Sequence, residues 1–255
     1  MKEYKAFIEG TNTVAFYDFE EWGTYESDGV KYYDYPMPKT IWASSAEGAI
    51  FLSAFGIQGT PIYKSEDKKN GSFAVKMVTM DTSAAASALV PAITAGSLYT
   101  GVFDLAAAMT DRLSSTKFGL AYTQKPLFFR GWYKYTPGTK YIDGSDYQNI
   151  KTLDQTDQCA IQAVLYKITD DAEVLTGHDL NNSAKRVAVA QLADGTAKAE
   201  YTYFDIPFTY LNGQSYEAGA KYKLAIVCSS SKDGDTFKGA GGSTLLIDDF
   251  CIVAE

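Results

Sequence analysis

The chain has 255 residues, a net charge of −8, and 19 Tyr, 14 Phe and 3 Trp. Acidity without any Lys/Arg stripe excludes a nucleic-acid surface, and no apolar stretch approaches the length of a membrane span. The aromatic content, punctuated by 21 Gly and 7 Pro, favours strands over helices.

Residues 1–13 read as a polar lead-in, and Met1-Lys-Glu-Tyr-Lys lacks the apolar core of a signal peptide. Residues 14–19 form a strand, and Trp22 anchors the segment after it. Residues 23–40, rich in Tyr and Pro, read as a long aromatic loop. Residues 41–45 lead into the apolar 49–52. The charged segment 64–71 ends in Asn70-Gly71, the strongest short hairpin signal. Residues 72–79 then alternate, with Phe73, Val75 and Met77 on one face.

The Ala-rich 83–92 is broken by Pro91 and Gly96, and residues 98–103 resume strand character. Residues 104–114 carry Leu105, Ala108, Met109 and Arg112 at helical spacing and are expected to be the one short helix. Short strands follow at 126–135, 159–168, 187–192, 201–210 and 221–229, each bounded by Gly, Asp, Asn or Pro. The closing stretch 239–255 opens with Gly and Ser and runs on as a buried strand of Leu245, Leu246, Ile247, Ile252 and Val253 interrupted by the acids Asp248 and Asp249. The pattern describes an all-β antiparallel sandwich over 14–255, as one domain or two closely packed halves. No linker, low-complexity tract or repeat divides it.

Common catalytic signatures are missing: there is no G-x-S-x-G, H-E-x-x-H, Walker loop or C-x-x-C. Asp233-Gly-Asp235 opens like a calcium-binding EF-hand loop, but Thr244 stands where the bidentate Glu belongs. The single His178 lies in a turn-like context. Cys159, Cys228 and Cys251 have no metal spacing; buried free thiols are the simpler reading, and one disulfide with a leftover thiol is the other. Acid pairs occur at Glu20/Glu21, Asp170/Asp171 and Asp248/Asp249, better explained by solvent, a turn and a metal respectively than by glycosidase chemistry, so no catalytic residue is assigned.

Two site readings remain. An ionised carboxylate beside a core needs a partner. If the first and last strands are neighbours, a structural calcium ion joining Glu20 to Asp248 supplies one, and capping of backbone N–H groups is the alternative. Strict alternation places Asp248 inward with Leu246 and Phe250, and Asp249 outward. In the second reading, Phe129, Gly131, Tyr133 and Tyr135 form a buried face of their strand, and Arg130, Trp132 and Lys134 the opposite one. An indole flanked by two cations suits the C–H face and hydroxyls of a sugar. The alternative is that the 23–40 loop covers Trp132. Trp42, beside Ser44 and Ser45, is a second candidate ligand platform, with the core as its competing place.

Tyr17-Asp-Phe-Glu-Glu-Trp22 together with the Ile-Asp-Asp-Phe of the last strand resembles the ends of jelly-roll carbohydrate-binding modules. The segments at 41–48, 94–103, 125–137, 204–210 and 228–245 resemble the putative carbohydrate metabolism domain of surface proteins from glycan-degrading gut bacteria. Ala95-Gly-Ser-Leu-Tyr99 departs from the Ala-Gly-Asn-Leu-Phe expected there. The resemblance implies a galactose-binding-like jelly roll, secretion or lipid anchoring at the outer membrane, and a glycan partner for a monomeric chain. It brings no agreed catalytic pair. The function it implies is non-catalytic glycan binding, with a glycoside hydrolase or a structural, adhesive surface protein as alternatives.

Overall fold

The computed structural model describes residues 13–255; the lead-in expected over 1–13 lies outside them except for Thr13. Two curled antiparallel sheets pack face to face in an all-β sandwich of the jelly-roll kind. The six-stranded sheet runs Lys198–Pro207, Pro126–Thr136, Thr244–Ala254, Ala74–Val78, Ile62–Ser65, with Thr13–Tyr17 also on the Thr244–Ala254 strand. The first and last strands are therefore neighbours, with Thr13 opposite Ala254 and Tyr17 opposite Phe250. The second sheet has nine strands, with Ser97–Phe103, Lys221–Ser229, Ala160–Ile168 and Arg186–Gln191 at its centre. Among the described residues no helix is long and apolar enough to cross a membrane.

Aromatic side chains fill the space between the sheets. Phe129, Tyr133, Tyr135, Phe204 and Phe250 from the first sheet meet Ile161, Ala163, Leu165, Ile226 and Cys228 from the second. The Phe129 ring stands edge-on to Phe250 at 5.1 Å and to Phe204 at 5.0 Å, the geometry aromatic quadrupoles prefer. Gly131 lies beneath this cluster. A Cβ there would come within 2.5 Å of the Phe250 ring and 2.9 Å of Phe204, so the rings pack directly on its backbone. The inward face expected for Phe129, Gly131, Tyr133 and Tyr135 is thus the observed one.

Helix is distributed differently from the expectation. The longest helix is Ser45–Ser53, which buries Ala46, Ala49 and Leu52. Residues 104–114 instead hold two short turns. Asp104 accepts the Ala107 amide and caps Leu105–Ala108, and Asp111 accepts the Leu113 amide and starts a 3-10 turn at Arg112–Ser114. A second capping aspartate inside the segment ends one helix by starting another. The Tyr-rich 23–40 segment is a hairpin of Trp22–Ser27 and Val30–Pro36 rather than a loop. All three cysteines are buried free thiols, and His178 is exposed with Nε2 2.6 Å from Asp111 Oδ2.

Candidate functional site

The outward face of the six-stranded sheet carries the most ordered set of ligand-competent side chains. Its rows follow from register. Lys134, Leu246, Lys76 and Tyr63 stand side by side across four strands. The next row holds Tyr203, Trp132 and Asp248, and the one beyond it pairs Asp205 with Arg130.

A register shift between Arg130 and Trp132 decides which way the two acids point. Arg130 pairs with Cys251 and Trp132 with Asp248, so the closing strand has an extra residue there. Asp249 takes a left-handed φ of 51°, the mark of a β-bulge. Leu245, Ile247, Phe250 and Ile252 all join the core between the sheets, whereas Leu246 and Asp248 do not. The inward placement expected of Asp248 with Phe250 is corrected here. Strict alternation fails because the bulge reverses the parity between 248 and 250.

Asp248 is nevertheless fully buried, because residues 66–72 fold back over it. This is the connection between Ile62–Ser65 and Ala74–Val78, the hairpin that Asn70-Gly71 announces. Asp248 Oδ2 accepts the amides of Lys69 at 2.8 Å and Asn70 at 3.0 Å. The Asn70 side-chain amide donates to Asp249 Oδ2. Glu20 accepts the Ser72 amide at 2.8 Å and the Phe73 amide at 3.1 Å. At the far side of the connection, Lys134 pairs with Asp67 at 2.8 Å and the Tyr201 hydroxyl donates to the Asp67 carbonyl at 2.8 Å.

Glu20 and Asp248, the pair expected to share a calcium ion, hold adjacent stretches of one connection, 72–73 and 69–70, by its amides. A calcium shell takes six to eight oxygens, and the groups turned to these carboxylates are N–H donors. Among the described residues no three His, Cys, Asp or Glu side chains gather as a metal-binding group. Burial pushes the Asp248 carboxyl up to about 7, against the pull of the Asn70 amide and with a smaller push from Asp249. Its Oδ1 has no hydrogen-bond partner among the described residues.

Trp132 is half-buried. Its ring lies 5.1 Å from Tyr203, and the Lys69 ammonium sits 4.1 Å from the ring centroid on a cation–π contact. The indole Nε1 is buried without a partner among the described residues. The cation over Trp132 is thus Lys69, while within the 23–40 hairpin Tyr25 stacks on Tyr33 at 5.3 Å. Arg130 bonds Asp205 through Nε at 2.8 Å. The structure brings Arg130, Trp132 and Lys134 together as expected. It adds Lys69, Lys76, Tyr203 and Asp205, whose approach depends on strand order and left no local signal.

Trp42 is only 2% exposed and packs 5.1 Å from Tyr17 and 5.4 Å from Phe19. It is a core residue, so the ligand platform proposed for it is withdrawn. Its strand, Trp42–Ser44, is buried at every position because it pairs with Ser97–Phe103 beneath the N-terminal strand region.

The family model of the putative carbohydrate metabolism domain matches residues 18–253. The chain belongs to that family. A structure described as a putative glycoside hydrolase from Bacteroides vulgatus ATCC 8482 superposes with a TM-score of 0.79 at 32% identity. That match covers 94% of this chain and 98% of the other. A second, described in the same words and from Bacteroides thetaiotaomicron VPI-5482, has a TM-score of 0.78 at 30% identity. It covers 94% of this chain and 71% of the other. No curated protein matches the chain.

Proposed function

We propose that this member of the family is a non-catalytic glycan-binding module and that the Trp132 face receives the sugar. The observation that carries this reading is the half-buried Trp132–Tyr203 pair set between Arg130 and Lys134 on the outer face of the six-stranded sheet. Flat aromatic surface with charged and hydroxyl neighbours is the chemistry of pyranose recognition. Arg130 and Lys134 are held in place by Asp205 and Asp67, which fixes their donors before a ligand arrives.

The two related structures bear a glycoside hydrolase description, which supports hydrolysis as the second reading. The carboxyls of this face argue against it. Glycosidase chemistry requires a protonated acid within reach of the glycosidic oxygen and a second carboxylate across from it. Asp67 and Asp205 are each committed to a cation, Lys134 and Arg130. Asp248, the one carboxyl held near 7, is fully buried beneath 66–72.

A glycan array run beside a hydrolysis screen separates the readings. Binding without turnover, lost in Trp132→Ala while the fold persists, is the expected result. Turnover abolished by a single Asp or Glu substitution would make the protein an enzyme.

A further inference from the structure

Beside Trp132, the same face sinks into a depression of about 320 Å³, at the small end of ligand-site volumes. Leu246 forms part of its lining and is only 6% exposed, which leaves an apolar patch between polar walls. Lys76 and Lys134 flank Leu246 in the same row, one on each neighbouring strand. Ser65, Thr136, Thr244 and Asp67 complete the lining.

The charges here are not balanced. Lys134 is matched by Asp67 at 2.8 Å, so the Asp67 charge is already committed. Among the described residues Lys76 forms no ion pair; its ammonium lies 5.7 Å from the Tyr63 ring. Lys69 forms none either and rests on the Trp132 indole. Two uncompensated ammonium groups thus flank the apolar patch and the indole, in a protein whose net charge is −8. Excess acid elsewhere makes a local cationic site a matter of placement rather than composition.

We propose that this depression is a subsite for an anionic sugar, a pyranose carrying one carboxylate or sulfate. The anion takes the ammonium group of Lys76, with Lys134 remaining on Asp67; the ring C–H face lies on Leu246, and the Thr136 hydroxyl exchanges hydrogen bonds with those of the ring. The indole of Trp132 then stacks the neighbouring residue of the glycan. The proposal rests on the glycan-binding reading above and adds the charge of the ligand to it.

The test is calorimetric titration of the full chain with three oligosaccharides: tetragalacturonic acid, a sulfated galactan tetrasaccharide free of uronate, and neutral cellotetraose. At least one acidic probe is expected to bind roughly tenfold or more tightly than the neutral one, in keeping with a charge-assisted hydrogen bond. That affinity is expected to fall as salt is raised. Which acidic probe binds decides between carboxylate and sulfate. Lys76→Gln is expected to remove the preference while melting like the parent, and Lys76→Arg to retain most of it. Neutral binding equal to acidic binding, or an unchanged preference in Lys76→Gln, overturns the anionic subsite and leaves the Trp132 reading standing. Absence of binding to these probes and to every glycan of the array overturns both.

Discussion

Trp132 and Asp248 stand opposite one another on adjacent antiparallel strands, and each holds a buried polar atom without a partner among the described residues, the indole Nε1 and the carboxyl Oδ1. A donor and an acceptor are thus left unpaired in the same row, under the connection that Asp248 Oδ2 pins by two amides. Unpaired buried groups cost about 1–3 kcal/mol each. The site's aromatic platform and the anchor of its cover are therefore linked through one pair of residues.

The first prediction concerns the charge on Asp248. Its folded-state pKa is raised to about 7, so the stabilising contribution belongs to the protonated form. That contribution is complete below the unfolded value near 3.9 and is lost as pH climbs toward 7. Asp248→Asn keeps an amide acceptor and cannot ionise. Relative to the parent it is expected to gain on the order of 4 kcal/mol between pH 4 and 8, the size of a shift of about three units. Denaturant unfolding across that range measures it; parallel curves for the two proteins would contradict the assignment.

The two tryptophans should separate cleanly. Trp42→Ala empties a fully buried site beside Tyr17 and Phe19 and is expected to cost about 3–5 kcal/mol. Trp132→Ala removes a half-buried ring from the outer face and is expected to cost about 1–2 kcal/mol, less than a full core truncation. Urea midpoints for the two variants give the comparison. Equal losses would mean that Trp132 is a core residue and the ligand face lies elsewhere.

Gly131→Ala tests the packing of the aromatic cluster. The added methyl group meets the Phe250 and Phe204 rings at under 3 Å, and overpacking of this kind costs about 1–3 kcal/mol. Phe250→Leu introduced with it should relieve part of the loss, which a double-mutant cycle would read as a favourable coupling. Strict additivity would count against direct contact.

Glu20 accepts two backbone amides with its carboxylate. Glu20→Ala should cost about 1–2 kcal/mol, the range for charge-assisted bonds lost at a part-exposed site. On the amide-capping reading, the parent melts at the same temperature in calcium and in chelator. A rise in melting temperature on adding calcium to metal-stripped protein would restore a cation to the Glu20–Asp248 pair.

The amino-acid sequence alone determined what depends on local rules. Period-two alternation separated Phe129, Tyr133 and Tyr135 from Arg130, Trp132 and Lys134, since a pleat sends successive side chains to opposite faces. Asn70-Gly71 marked the hairpin that now covers the site, because few other residues tolerate that backbone; Gly71 has a φ of +59°. Only the tertiary structure decided what lies on the outer face. Lys69 reaches Trp132 across 63 positions, and Lys76 reaches the neighbouring row beside Leu246 because its strand pairs with the closing one. The direction of Asp248 was beyond the pattern for a related reason. A bulge arises where Thr244–Ala254 must register with Pro126–Thr136 and Thr13–Tyr17 at once, and one inserted residue reverses every side chain beyond it.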